Sequence, residues 1–418
     1  MMKFTLLLLT FLLIPVCAFA DDWPQWQGPD RTNVSKETGL LPSWPAGGPK
    51  LLWTFRDAGV GYSGPAIIGD RLYTMGADDK TEFIYALDLK TQKKLWSTAI
   101  DARFKNGYGD GPRGTPTVDG DLVFGLGGQG TLICVKAATG EKVWSKNLKT
   151  AFGGVMMSGW GYSESPLVDG DKVVCTPGGS KGAIVALNKK TGESIWQSKE
   201  FTDKAGYSSL ILLEAGGIRQ YCQATGESVA GVAAEDGRLL WRHPRPVRTA
   251  AIPTPIFTDN QVYVTAGYGA GCQLVKLVKN GNQLSAEKVY ANTNMVNRHG
   301  GVVLVGDYLY GHSESPDRWV CQKLKTGEIV WTEKKLGKGS LTYADGHLYC
   351  YGERGDVVLV KATSEGWKED GRFKLPEETK LRSASGGIWT HPVVANGKLF
   401  LRDQDLLFCY DLKSAAAE

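Results

Sequence analysis

Paired cysteines are missing from this chain. Its eight cysteines stand at 17, 134, 175, 222, 272, 321, 350 and 409, with no adjacent Cys-Cys, no CxxC and no CxxCH. Short-spaced zinc ribbons and covalent haem attachment are thereby excluded. Most of these cysteines sit inside apolar strand-like runs and read as small buried hydrophobes, with room for one incidental bridge but not for a disulfide framework. Histidine is scarce, at five, and none of the five forms H-E-x-x-H. There is no G-x-S-x-G nucleophile elbow and no phosphate-cradling glycine loop ahead of a helix. Gly125 to Gly130, GLGGQG, is glycine-rich, but it lies between two strand-like runs and reads as a hairpin turn.

Charge of one sign is also lacking. The formal net charge is +4, from 48 basic and 44 acidic residues scattered along the chain, so no basic stripe points to nucleic acid. The one long apolar run lies in the first twenty residues. Lys3, the stretch from Phe4 to Ala20, and Ala18-Phe19-Ala20 before Asp21-Asp22 have the order of a signal peptide cleaved near Ala20. The expected product is periplasmic or secreted, with no transmembrane segment in the mature chain. Ile14-Pro15-Val16 before Cys17 lacks the small residue that lipoprotein processing needs.

What the chain has in excess is glycine, 53 residues, as recurring tight turns require. Residues 21–50 carry five prolines and no lasting periodicity. They read as an ordered extended arm pinned by Trp23, Trp26 and Trp44. Beyond them one pattern repeats, seen most clearly from Ser165 to Trp196. A Pro-containing strand, an Asp-Gly turn, an apolar run and a Thr-Gly turn lead into a strand that carries tryptophan. Equivalent aromatics stand at 53, 96, 144, 196, 241, 290 and 331 and approximately at Phe373, so 320 residues cover seven intervals of about 46. That period suits a four-stranded β-blade. An eighth unit, Trp389 to Leu412, ends after three strands, and the orphan strand Leu51-Leu52-Trp53-Thr54-Phe55 supplies its fourth. The fold predicted is all-β: an eight-bladed β-propeller over 51–413, with antiparallel blades, closed by strand 51–55 because closure removes the sheet edges. The indoles are expected to pack between neighbouring blades.

Ala86-Leu87-Asp88-Leu89-Lys90-Thr91…Trp96, Ala137-Ala138-Thr139-Gly140…Trp144, Ala186-Leu187-Asn188-Lys189-Lys190-Thr191-Gly192…Trp196 and Lys325-Thr326-Gly327…Trp331 resemble the quinoprotein-like (PQQ-like) β-propeller repeat family. The opening WPQWQGP is similar to that of exported bacterial members. The family contains pyrroloquinoline-quinone alcohol and sugar dehydrogenases. It also contains non-catalytic members, among them the propeller lipoprotein of the outer-membrane barrel assembly machine. Departures from the dehydrogenase branch are plain: there is no vicinal Cys pair and no recognisable calcium-ligand spacing, although Glu164 and Glu314 are acidic candidates.

In a propeller the loops leading into the innermost strands form one rim. Here they carry Gly61-Tyr62-Ser63-Gly64, Arg113-Gly114-Thr115, Trp160-Gly161-Tyr162-Ser163-Glu164, Gly206-Tyr207-Ser208, Arg298-His299-Gly300 and Ile388-Trp389-Thr390-His391. Tyr62, Tyr162 and Tyr207 recur at one repeat position and suit a layer at the blade junctions. Arg113, Trp160, Glu164, Arg298, His299, Trp389 and His391 break the regularity and are the candidate ligand-binding residues; no catalytic or metal set is expected. The resulting expectation is a monomeric exported scaffold that binds an envelope protein, or a small polar or aromatic ligand, at the funnel rim, without a cofactor. Two alternatives stand beside it: a dehydrogenase using PQQ and calcium, and a carbohydrate-binding or lyase-like propeller.

Overall fold

The computed structural model describes residues 22–281 and 283–413; the expected signal peptide, 1–20, lies outside the described residues. Eight four-stranded antiparallel sheets form the ring. The innermost strands are Ala66–Ile68, Thr117–Asp119, Leu167–Asp169, Ile211–Ala215, Ile256–Thr258, Val302–Val305, Gly339–Ala344 and Val393–Ala395, which we number as blades one to eight. Their outermost partners are Lys94–Ala102, Lys142–Asn147, Ser194–Gln197, Leu239–Pro244, Gln283–Asn292, Ile329–Glu333, Glu369–Lys374 and Leu51–Phe55. The closing strand comes from the beginning of the described chain, as the repeat count requires: Trp53 pairs with Cys409 and Phe55 with Leu407.

Closure is reinforced by one buried cation. Arg402, in blade eight, donates to the carbonyls of Ser63 (2.7 Å), Met75 (2.7 Å), Ala58 (3.2 Å) and Gly59 (3.0 Å), all in blade one or its lead-in. The fork of a guanidinium satisfies several carbonyls at once, which a point-like ammonium does not.

The middle strands are buried on both faces, and the core runs between neighbouring blades rather than within one sheet. Apolar clusters join blade two to three and blade seven to eight. Seven cysteines among the described residues are free and buried. Trp96, Trp144, Trp196, Trp241 and Trp331 each sit beside a β-bulge. Three of them donate to the next blade: Trp96 Nε1 to Ala137 O (3.0 Å), Trp144 Nε1 to Lys189 O (2.9 Å) and Trp331 Nε1 to Thr363 O (2.9 Å), whereas Trp241 Nε1 donates to Gln220 Oε1 (2.5 Å) of its own blade. The turn glycine of the next blade serves twice. Gly140 takes φ 73°, and a Cβ there would lie 2.4 Å from the Trp96 ring.

Two expectations need correction. Phe373 does not hold the tryptophan position of blade seven. Trp331 pairs with Cys321 just before its bulge, and the corresponding residue in blade seven is Gly371, paired with Leu359. The missing ring arrives from elsewhere: Trp44 of the arm packs 5.9 Å from Tyr349, as Trp331 packs 5.9 Å from Tyr310. The chain also contains a short helix, Leu148–Phe152, where none was expected. Asn147 caps it by accepting from the amides of Lys149 and Thr150, and Gly153 ends it at φ 69°.

The arm threads the axis. Trp23 bridges to Ile67 in blade one, and Val118 in blade two donates to Pro24 O (2.8 Å). Arg31 donates to Ser165 O (2.7 Å) in the lead-in to blade three and to Leu210 O (3.0 Å) in the lead-in to blade four. Trp26 Nε1 reaches Thr254 Oγ1 (2.9 Å) beside blade five, and Val34 pairs with Tyr343 in blade seven. The arm therefore touches blades one, two, three, four, five and seven or their lead-ins in turn, and it floors the funnel above it.

Candidate functional site

The lead-in loops converge on a cup of about 150 Å³ at one mouth of the ring. Arg113, Trp160, Arg298, His299, Trp389 and His391 all line it, together with Tyr62 and Tyr207. Glu164 does not. Its carboxyl is buried behind the wall, where it accepts from Thr176 N (2.8 Å) and Thr176 Oγ1 (3.1 Å). Tyr162 is likewise internal, donating to Pro177 O (2.9 Å). Desolvation pushes Glu164 up to about 8, against those hydrogen bonds and the pull of Arg31. Ser163, between them, lines the cup, and alternation along the extended segment turns Tyr162 and Glu164 the other way, inward toward blade three.

The structure adds lining residues that the repeat pattern did not single out. Trp26 and Gln27 come from the arm and make the floor; Trp26 packs 4.6 Å from the His391 ring. Tyr108 comes from the long loop before Arg113, and Tyr268 from the hairpin of blade five. Tyr268 sits at φ 57°, uncommon for a bulky residue. Its amide is held by the carboxylate of Glu314. Glu314 ends the second strand of blade six, Tyr308–Glu314, and braces the cup wall from the neighbouring blade.

Electrostatics follow from how each group is engaged. Arg113 donates to Gly111 O (2.5 Å) and Gly109 O (2.6 Å) and packs 4.7 Å over Phe104. Burial lowers its pKa. His391 Nε2 lies 2.9 Å from the carbonyl of His299, so that nitrogen carries the proton and Nδ1 faces the amide of Asn33. Burial brings His391 to about 4 and takes His299 well below the usual range, the latter helped by Lys338. Both imidazoles are neutral at pH 7. Trp389 stacks on Tyr62 at 5.0 Å and donates to Glu353 Oε1 (2.7 Å), which also lies 3.3 Å from His299 Nε2. Arg298 is half-buried over the Tyr268 ring at 4.7 Å. Among the described residues it has no carboxylate within ion-pair distance. The cup thus presents ring faces and two guanidiniums, and no carboxylate lines it.

Comparison with known proteins places the chain. The family described as outer membrane protein assembly factor BamB matches residues 80–333, more than half of the sequence. The assembly factor BamB of Salmonella typhimurium is 26% identical over 369 residues, covering 75% of this chain and 87% of its own. Among solved structures, BamB from Moraxella catarrhalis superposes with a TM-score of 0.59 at 14% identity, over 87% of this chain and all of that one. A europium-containing methanol dehydrogenase gives 0.53 at 12% identity, over 91% of this chain and 89% of its own, a likeness of fold alone. The repeat, the eight blades and the matched span together make this chain a member of the outer membrane protein assembly factor BamB family.

Proposed function

We propose that the protein is an exported, non-catalytic scaffold of the bacterial envelope that binds a protein partner engaged in outer-membrane assembly. The observation that carries this reading is the family match across residues 80–333. The geometry supports it. The axis is occupied by the chain's own arm, the wall histidines are neutral, the His391 ring is hydrogen-bonded to a backbone carbonyl, and Arg113 is spent on backbone carbonyls. A rigid ring that holds loops in place suits recognition. Crosslinking in the native host, followed by identification of what is joined to the mature chain, tests the proposal. Enrichment of an envelope assembly protein over a non-interacting exported control is the expected result; no enrichment overturns it.

The quinone-dehydrogenase alternative meets a chemical objection in the same cup. A calcium ion wants several oxygen ligands, carboxylates foremost, whereas the lining offers two guanidiniums and two imidazoles. Among the described residues no cluster of three acidic, histidine or cysteine side chains has metal-binding geometry. Saturable quinone binding that depends on calcium, with dye reduction by an alcohol or sugar, would revive that alternative.

A further inference from the structure

We infer that the cup is a binding site for a small aromatic carboxylate, its ring among Trp160, Tyr207 and Tyr268 and its carboxylate on Arg298. The inference is independent of the scaffold reading, since it concerns one mouth of the ring and not the surface a protein partner would cover.

Three features of the walls lead to it. The first is that the cup is lined by cations and by no carboxylate, Asp110 and Glu82 acting on Arg113 from outside the lining. Two cations line a concave, largely apolar space, both histidines there are neutral, and no lining residue is acidic. Such a site focuses a positive potential and favours an anion. Arg113 supplies field more than contact, because two of its N–H groups are already taken by Gly109 and Gly111. Arg298 bonds the Tyr268 side chain and keeps further N–H groups of its fork for a carboxylate. One available fork suits one carboxylate; a phosphate, with more charge and more acceptors, would leave oxygens facing ring carbons.

The second feature is the aromatic surface. Trp160 lies 5.8 Å from Tyr207, 6.2 Å from Tyr268 and 5.9 Å from Tyr108. These are tilted or edge-on ring pairs, not stacks, and two of the rings keep open surface: Tyr108 is 49% and Tyr268 39% exposed. Large exposed rings clustered in a concavity are poor for a free surface and good for a flat ligand. A neutral sugar would use the faces but give the Arg298 fork no anion.

The third is that the wall is held against its own preference. Tyr268 is kept at positive φ by the Glu314 carboxylate on its amide. Backbone strain of this kind persists where surrounding structure fixes it, and it clusters at ligand clamps. The space, about 150 Å³, is of the order that holds a single aromatic ring.

The test uses the mature chain and four probes in calorimetric titration: benzoate, benzamide, cyclohexanecarboxylate and methyl glucopyranoside. Benzoate is expected to bind saturably, at least about tenfold more tightly than the amide or the cyclohexane acid, and more weakly as salt rises. Arg298→Gln should lose about tenfold for benzoate while leaving benzamide unchanged, and Arg298→Lys should fall between. Because Arg298 is half-exposed, the thermal midpoint of R298Q should match the parent, and its capture of a protein partner should persist. Equal affinity for benzoate and benzamide, preference for the glucoside, no saturable binding at all, or an R298Q variant that binds benzoate like the parent would each overturn the inference.

Discussion

Trp44 and Gly371 share one position between them: a Cβ on Gly371 would fall 2.5 Å from the Cβ of Trp44 and 2.9 Å from its Cγ. The blade that lacks its own indole borrows one from the arm, and the strand gives up its side chain to admit it. The arm is therefore part of the propeller's core as well as the floor of the cup.

Gly371→Ala should destabilise the protein by about 1–3 kcal/mol through overpacking, and Trp44→Ala by about 3–5 kcal/mol through a cavity. The double variant W44A/G371W should recover part of the second loss, since it restores the ring on the strand that carries it elsewhere. Urea denaturation of the three variants decides the matter. A neutral G371A would show that the close approach is not maintained in solution.

Arg402 should behave as the clasp of the ring. Lysine keeps the charge but cannot span the carbonyls of Ala58, Gly59, Ser63 and Met75, so R402K should cost about 2–4 kcal/mol. Hydrogen exchange should quicken first in strand 51–55 and in blade one. Uniform exchange around the ring would contradict a local clasp.

Arg31 should hold the arm in the axis. Removing its side chain orphans the carbonyls of Ser165, Pro166 and Leu210, at a cost of about 2–4 kcal/mol. Limited proteolysis of R31A should cut within 22–34 while the blades survive. An arm as resistant in R31A as in the parent would remove Arg31 from this role.

Two buried carboxyls set a pH dependence. Burial raises Glu82 to about 7 and Glu164 to about 8, above the ordinary carboxyl range, so the folded state holds both protons more tightly than the unfolded chain does. Their contribution to stability is whole below about pH 4 and is lost as pH rises through about 7 to 8. Buried His299, His312 and His391, whose pKa values burial lowers, act in the opposite sense below about pH 6.5, so the carboxyls are read above it. The urea midpoint should fall from about pH 6.5 to about pH 8, and Glu164→Gln should flatten the upper part of the fall. A midpoint that holds steady or rises between about pH 6.5 and about pH 8, in parent and variant alike, would contradict the assignment.

How much of this was legible in the chain depends on whether the signal was periodic. The turn glycines, the indoles and the three-strand final unit recur at fixed spacing, so blade number and closure by 51–55 follow from counting. Arg113, Trp160, Arg298, His299, Trp389 and His391 stood out because they interrupt a repeat, and all six line the cup. Glu164 interrupts it equally but turns inward to Thr176. Trp26, Tyr108 and Tyr268 carry no periodic mark. Their places depend on the path of the arm, the long loop before Arg113 and a strained hairpin tip.

By itself the sequence determined the architecture, because a strand's two-residue alternation and a turn's need for glycine are local demands repeated eight times around a ring. Only the tertiary structure decided what fills the axis, which blade lacks its own indole and which side chains meet at the mouth. Those outcomes join residues hundreds of positions apart, such as Asn33 with Leu341. They are settled by packing and by satisfying buried carbonyls, which no local pattern records.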